Sequence, residues 1–117
     1  MNVLIAEDNE RLQQSVGLLM KLWGFDFDLV SNGQEAVEKA ITNKNKYDLC
    51  LMDIEMPVMD GCKAARRIRR EGREFPIIAI SGSLNIQELY LDAGMDDYLE
   101  KPYDPQILLN KIMKLTV

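Results

Sequence analysis

The sequence predicts an α/β fold in which five parallel strands form one doubly wound sheet with helices on both faces. Short, continuous apolar runs recur along the chain, and runs without polar alternation are typical of strands buried on both faces. These runs occupy residues 3–6, 27–30, 49–52, 77–80 and 98–99. Helical patterns separate them, and this alternation favours right-handed crossovers over a parallel sheet. Asp28 interrupts the second run, which places that strand nearer an edge.

The helices are predicted from apolar stripes and from residues that cap helix ends. The stripes of the first three helices are Leu12, Val16, Leu19 and Trp23, then Ala36, Val37, Ala40 and Ile41, then Ala64, Ala65 and Ile68. Gly24 ends the first helix as a C-terminal cap. The fourth helical segment is predicted over residues 84–93 and ends at Gly94. The fifth begins at Asp104, a capping residue, with Pro105 at its first position.

Composition excludes several classes of function. With 117 residues, we expect one domain over residues 1–117. A net charge of -5 argues against direct binding to nucleic acid, and no apolar run approaches the roughly 20 residues needed to cross a membrane. The N-terminus lacks the features of a signal peptide, and only two cysteines are present, so we expect a cytoplasmic location. The absence of histidine excludes a Ser-His-Asp hydrolase and a phosphohistidine within this chain.

Polar side chains follow four of the predicted strands. Glu7 and Asp8 come after the first strand and Asp53 after the third. Ser81 follows the fourth strand and Lys101 the fifth. In an open parallel sheet, ligands bind beyond the carboxyl ends of the strands, where the strand order reverses. We therefore expect three carboxylates, a hydroxyl and an ammonium group to converge at one edge of the sheet.

This set of groups favours phosphoryl transfer assisted by a metal ion. Two carboxylates about 5 Å apart repel by roughly 3 kcal/mol at an effective dielectric constant near 20, and a Mg²⁺ ion relieves that repulsion. Mn²⁺ is an alternative metal. Lys101 and Ser81 can bind phosphate oxygens, as an ammonium and a hydroxyl donor. Asp53, on the middle strand, is the best placed nucleophile for an acyl phosphate.

Three longer strings surround these side chains. They read Ile-Ala-Glu-Asp-Asn at residues 5–9, Leu-Met-Asp-Ile-Glu-Met-Pro-Val-Met-Asp-Gly at residues 51–61, and Asp-Tyr-Leu-Glu-Lys-Pro at residues 97–102. With them the chain closely resembles, over essentially its whole length, the response-regulator receiver domain, especially the receivers of hybrid histidine kinases. The resemblance implies a flavodoxin-like (βα)5 fold and a phosphoacceptor switch in a two-component phosphorelay.

The resemblance also implies a metal and phosphate site. Glu7 and Asp8 correspond to the family's acidic pair at the metal ion, and Asp53 corresponds to its phosphoacceptor and metal ligand. The backbone carbonyl of Glu55 would complete the protein's contacts to the metal.

Three further positions match the family's switch and phosphate-binding residues. Ser81 and Tyr98 correspond to the hydroxyl and the aromatic ring of the switch, and Lys101 to the phosphate-binding lysine. The bond from Lys101 to Pro102 is expected to be cis, as in the family.

The implied partners are a histidine kinase or phosphotransfer protein as phosphodonor, and an output domain or downstream protein as receiver of the signal. Dimerisation on phosphorylation is compatible with this interpretation. Such a domain is a switch that catalyses only its own phosphorylation and dephosphorylation, not an enzyme for other substrates.

The segment between Ser81 and Gly94 departs from the family, since it is about two residues shorter than usual. That segment belongs to the surface that usually reports phosphorylation.

Two other classes share some of these features. A phosphatase of the haloacid-dehalogenase type also uses an aspartate nucleophile and Mg²⁺, but it needs an aspartate two residues later, where this chain has Glu55. A flavodoxin-like FMN carrier shares the strand pattern, but Glu7 and Asp8 would repel the FMN phosphate from the first loop.

Overall fold

The computed structural model describes residues 1–83 and 85–117, in which five strands alternate with five helices. The strands are β1 (Asn2–Ala6), β2 (Asp26–Val30), β3 (Leu49–Asp53), β4 (Ile77–Ser81) and β5 (Asp97–Glu100). The helices are α1 (Glu10–Leu22), α2 (Gly33–Thr42), α3 (Gly61–Arg70), α4 (Ile86–Leu89) and α5 (Pro105–Thr116). Within the described residues, no helix combines the length and apolar character required to cross a bilayer.

All five strands are parallel and lie in the order β2-β1-β3-β4-β5. This confirms the predicted doubly wound α/β fold and places β2 at an edge, as Asp28 indicated. From β1 the chain moves first outward to β2 and then back across to β3, so the strand order reverses between β1 and β3. A ligand site is therefore expected beyond the carboxyl ends of these two strands.

The core forms one layer on each face of the sheet. Alternate residues of each strand point to opposite faces, so Leu4 and Cys50 pack with α2 and α3, whereas Val3 and Leu49 pack with α1 and α5. All four of these side chains are fully buried. Of the predicted α1 stripe, Leu12 lies at the surface. The two central strands β3 and β4 are buried along their whole length and give the site its base.

Side chains of Asn and Asp cap four helices at their N-termini. Asn9 accepts a hydrogen bond from the Leu12 amide at 3.1 Å, and Asn32, Asp60 and Asp104 make equivalent bonds to α2, α3 and α5. Each such bond satisfies an amide that has no partner within its helix. The predicted start of the last helix, with Asp104 as cap and Pro105 at the first position, is confirmed.

The fourth helix is much shorter than the predicted 84–93. Only Ile86–Leu89 is helical, and hydrogen-bonded turns continue from there to Gly94, whose φ of 83° ends the segment. Leu84 lies outside the described residues. The apolar pattern misled because Leu89 and Leu91 are 38% and 67% exposed, so they do not extend a buried stripe.

Candidate functional site

Three carboxylates meet where β1 and β3 end. Glu7, Asp8 and Asp53 each offer an oxygen, and these oxygens lie within 4.8 Å of one another. Hydrogen bonding of β1 to β3 brings the two strand ends side by side, with Ala6 opposite Met52. Asp53 is only 3% exposed and Glu7 only 7%, whereas Asp8 is exposed. The predicted acidic cluster is therefore assembled by the sheet itself.

The donor chemistry of this cluster fits a hard divalent cation. Mg²⁺ binds carboxylate oxygens and keeps several water ligands, so it suits a site with one exposed and two buried carboxylates. The Glu55 amide donates to Asp53 Oδ1 at 3.1 Å, so the Glu55 backbone runs directly beside the cluster. That its carbonyl completes the metal contacts stays a prediction.

Lys101 joins the two buried carboxylates. Its Nζ lies 2.8 Å from Asp53 Oδ2 and 3.0 Å from Glu7 Oε1. Burial acts to lower the pKa of Lys101, but hydrogen bonds to Asp53 and Glu7 outweigh it and the pKa is raised overall. The amide of Lys101 donates to the Ser81 carbonyl at 2.8 Å, and the bond to Pro102 is cis, as predicted. Lys101 therefore carries its charge at the centre of the site.

The backbone around Glu7 fixes the direction of its side chain. Its amide donates to the Val30 carbonyl at 3.0 Å, and its Oε2 accepts from the Asn9 amide at 3.1 Å. The side-chain amide of Gln13 donates to the Glu7 carbonyl at 2.5 Å. Gln13 was not among the predicted site residues, since a glutamine within a helix carries no sequence signal for such a contact.

Ser81 is fully buried at the end of β4, and both of its hydrogen bonds are defined. Its Oγ donates to Glu55 Oε1 at 2.5 Å and accepts from the Ser83 amide at 2.9 Å. The sequence predicted a contribution from the Glu55 backbone only. The only sequence signal for a role of the Glu55 side chain is that it is an acid two residues after Asp53.

Tyr98 lies on β5 opposite Ala79, which is two residues before Ser81 on the neighbouring strand β4. Its ring centroid is 5.0 Å from that of Tyr90, at an angle of 46°. Lys111 Nζ lies 5.6 Å from the Tyr98 ring and 2.9 Å from Asp97 Oδ1. The half-buried ring is thus held between the end of α4 and α5.

Two glycines permit close packing of the loop that follows β3. A Cβ at Gly61 would overlap the Asp53 carbonyl oxygen, and a Cβ at Gly33 would overlap the Met59 carbonyl oxygen. The Gly61 amide also donates to the Ile54 carbonyl at 2.9 Å. The position directly behind Asp53 therefore requires glycine for steric reasons.

A cleft of about 580 Å³ opens beside the acidic cluster. Its walls come from the end of β1, the loop after β3, and helices α3 and α4. The lining residues include Asp8, Glu55, Met56, Lys63, Arg66 and Leu89. The cleft therefore leaves the acidic cluster open to solvent on the side of Asp8.

Comparison with known proteins gives consistent matches. The family model described as the response regulator receiver domain matches residues 3–113. The chain is 38% identical over 119 residues to hybrid signal transduction histidine kinase I of Dictyostelium discoideum, covering 94% of this chain and 7% of that protein. It is 35% identical to two-component response regulator 24 of Arabidopsis thaliana, covering 98% of this chain and 84% of the relative. Response regulator MprA of Mycobacterium leprae is 31% identical, and the chain spans 98% of itself but 50% of that relative.

Solved structures agree with these matches. The receiver domain of a Pseudomonas aeruginosa sensor histidine kinase, with a magnesium ion in its active-site cleft, superposes with a TM-score of 0.88 at 35% identity, covering 98% of this chain and 96% of that one. A chain from the complex of the Saccharomyces cerevisiae phosphotransfer protein Ypd1 with the receiver domain of Ssk1 gives a TM-score of 0.88 at 31% identity, covering 99% and 88%.

Proposed function

The chain belongs to the response regulator receiver family, and on that premise we propose that Asp53 is its phosphoacceptor. A receiver domain is a phosphorylation switch of a two-component phosphorelay. The observation that carries the assignment to Asp53 is its position as a nearly buried carboxylate bonded to Lys101 and flanked by Glu7 and Asp8. The family match leaves the phosphatase alternative without support.

The transfer that we propose forms an acyl phosphate on Asp53. A carboxylate oxygen of Asp53 attacks the phosphorus of a phosphohistidine, the phosphorus–nitrogen bond breaks, and the leaving imidazole takes up a proton. Lys101, already 2.8 Å from Asp53 Oδ2, would exchange its bond to the carboxylate for one to a phosphoryl oxygen.

The metal ion that we propose is Mg²⁺, with Mn²⁺ accepted by the same oxygen donors. Glu7, Asp8, Asp53 and the backbone carbonyl of Glu55 would hold it. When bound, it would neutralise charge on the phosphoryl oxygens. The magnesium ion in the related Pseudomonas receiver supports this choice of metal.

Ser81 and Tyr98 are proposed as the switch. Ser81 would donate a hydrogen bond to a phosphoryl oxygen, and Tyr98 would then move into space near Ser81. A hydrogen bond to a charged group contributes roughly 1.5–3 kcal/mol, enough to shift a two-state equilibrium at least tenfold. The contacts of the Tyr98 ring with Tyr90 and of its neighbour Asp97 with Lys111 would carry that change to α4 and α5.

The finer partners are proposals that rest on the relatives. A histidine kinase or phosphotransfer protein would supply the phosphoryl group, as the hybrid kinase match and the phosphotransfer complex suggest. An output domain or downstream protein would receive the signal, with phosphorylation-dependent dimerisation as one route. Residues 1–117 would act as a single receiver domain in the cytoplasm, with no direct contact to nucleic acid because the net charge is -5.

The assignment is tested by labelling with acetyl phosphate and Mg²⁺ and measuring intact mass. The wild-type chain should gain one phosphoryl group, and Asp53→Asn should gain none, because an amide cannot form the acyl phosphate. Asp92→Asn is the matched control, since it makes the same change at an exposed aspartate near Gly94 and should label like wild type. Unimpaired labelling of Asp53→Asn would falsify the assignment.

A further inference from the structure

The buried hydroxyl of Ser81 has a single proton to donate, and that proton is already engaged. Ser81 Oγ donates to Glu55 Oε1 at 2.5 Å, while its lone pair accepts from the Ser83 amide at 2.9 Å. A serine hydroxyl offers one donor and two acceptor sites. Donation to a phosphoryl oxygen on Asp53 therefore competes with donation to Glu55.

Glu55 is free to end this contact. Its side chain is exposed, and among the described residues it takes part in no ion pair, because Lys101 contacts Glu7 and Asp53 instead. An exposed carboxylate that leaves a hydrogen bond is promptly solvated by water, so its release carries little desolvation cost. The same carboxylate lies two residues from Asp53, and a dianionic phosphoryl group there would repel it.

We propose that Glu55 is a positioning residue that holds the Ser81 hydroxyl in its unphosphorylated orientation. This inference rests on the proposed phosphorylation of Asp53. In the unmodified domain, the Glu55 carboxylate accepts the only hydrogen bond that the Ser81 hydroxyl can donate. Phosphorylation repels the Glu55 carboxylate, and the hydroxyl then turns to the phosphoryl oxygen. The Ser83 amide, bonded to Ser81 Oγ, passes that reorientation to the segment that leads to α4.

The proposal is tested with beryllofluoride and Mg²⁺, which together stand in for the phosphoryl group. Affinity is measured by NMR titration of the amide of Ser83 in four chains: wild type, Glu55→Ala, Glu55→Gln and Ser81→Ala. Glu55→Gln removes the charge but keeps an oxygen that accepts from Ser81, so it isolates the electrostatic effect. In Glu55→Gln, the Ser81 hydroxyl must give up its bond to residue 55 before it can donate to beryllofluoride, whereas in Glu55→Ala there is no such bond to give up. Because a typical hydrogen bond contributes about 1 kcal/mol, Glu55→Ala should bind beryllofluoride about fivefold more tightly than Glu55→Gln.

A second pair of chains carries Glu55→Ala or Glu55→Gln in the Ser81→Ala background. With no hydroxyl to release, these two should have the same affinity to within about twofold. The Ser83 amide should also shift in the unliganded Glu55→Ala chain, but remain near its wild-type position in Glu55→Gln.

The outcomes separate this inference from the proposed function. Equal affinities of Glu55→Ala and Glu55→Gln, or a difference that persists without the Ser81 hydroxyl, would overturn the role of Glu55 while leaving Asp53 as acceptor. Failure of the wild-type chain to bind beryllofluoride would instead contradict the proposed function itself.

Discussion

The Asp53 end of the sheet and the α4 segment (residues 85–94) are held in place by very different numbers of interactions. Asp53 and Ser81 are the last residues of two central strands, and Lys101 makes two ion pairs there. The α4 segment contains one helical turn, and its deeply buried side chains are Ile86 and Ala93. One region is fixed by the whole sheet, whereas the other is a single helical turn with two deeply buried apolar side chains.

This difference fits the separate tasks proposed for the two regions. Phosphoryl transfer requires catalytic groups to stay within about 0.5 Å of their working positions. Elements that report a signal are drawn from the less stable parts of a fold, because they must rearrange at low cost. For the switch proposed above, the short α4 would lower the cost of a change in shape without loosening the Asp53 end of the sheet.

The largest expected effect compares two glycines, Gly61 directly behind Asp53 and the exposed Gly82 directly after Ser81. Gly61→Ala should destabilise the protein by about 3 kcal/mol, because its Cβ would overlap the Asp53 carbonyl oxygen. The roughly 1 kcal/mol that alanine gains over glycine in a helix is too small to offset this overlap. Gly82→Ala is the matched control, because a Cβ there meets nothing within 4 Å, and stability should change by less than about 0.5 kcal/mol. Urea unfolding measures the change in stability for both variants, and equal changes would contradict the steric constraint at Gly61.

Within the α4 segment, stability should depend on Ile86. Ile86→Ala should lower the free energy of unfolding by about 2–4 kcal/mol, because Ile86 is fully buried. Leu91→Ala, at a side chain 67% exposed, should change it by less than about 0.5 kcal/mol. In Ile86→Ala, amide hydrogen exchange should accelerate more in residues 85–94 than in β3. Uniform acceleration throughout the sheet would show that the segment does not open independently.

Magnesium should stabilise the Asp53 end by relieving carboxylate repulsion. With a dissociation constant near 1 mM, 10 mM Mg²⁺ should contribute about 1.4 kcal/mol and raise Tm by roughly 5 °C. Asp8→Asn should weaken this response, because it removes one of the three clustered carboxylates. Asp92→Asn, which removes an exposed charge within the α4 segment, should keep the full response. A wild-type Tm that does not respond to Mg²⁺ in a thermal scan would count against the metal site.

The smallest effect concerns Lys101 and alkaline pH. The pKa of Lys101 is raised in the folded state from an ordinary value of 10.5, so its ion pairs stabilise the protein fully below that pH. As pH rises further, the unfolded chain loses this proton first, and the contribution declines through the folded pKa. In metal-free buffer, Lys101→Met should be about 1 kcal/mol less stable than wild type at pH 8. Urea unfolding should show the difference narrowing above about pH 10.5, and a constant difference would contradict the assigned pairing.

Sequence alone determined the sheet, the capped helices and the convergence of most predicted site residues at one edge of the sheet. The carboxyl ends of parallel strands meet at one edge, so residues that follow buried apolar runs must come together there. This reasoning placed Glu7, Asp53 and Lys101 correctly, although Lys101 and Asp53 are 48 residues apart. It also placed β2 at an edge, because one charged residue in an apolar run is incompatible with burial on both faces.

Tertiary structure alone decided the length of α4 and the contact between Ser81 and Glu55. The pattern over residues 84–93 looked helical, but helix length depends on how many side chains the neighbouring elements can cover, and Leu89 and Leu91 remain exposed. The Ser81–Glu55 bond joins side chains 26 residues apart on neighbouring strand ends. Which of several nearby acceptors a hydroxyl selects depends on side-chain rotamers and loop packing over a few tenths of an ångström, and strand periodicity carries no information on either.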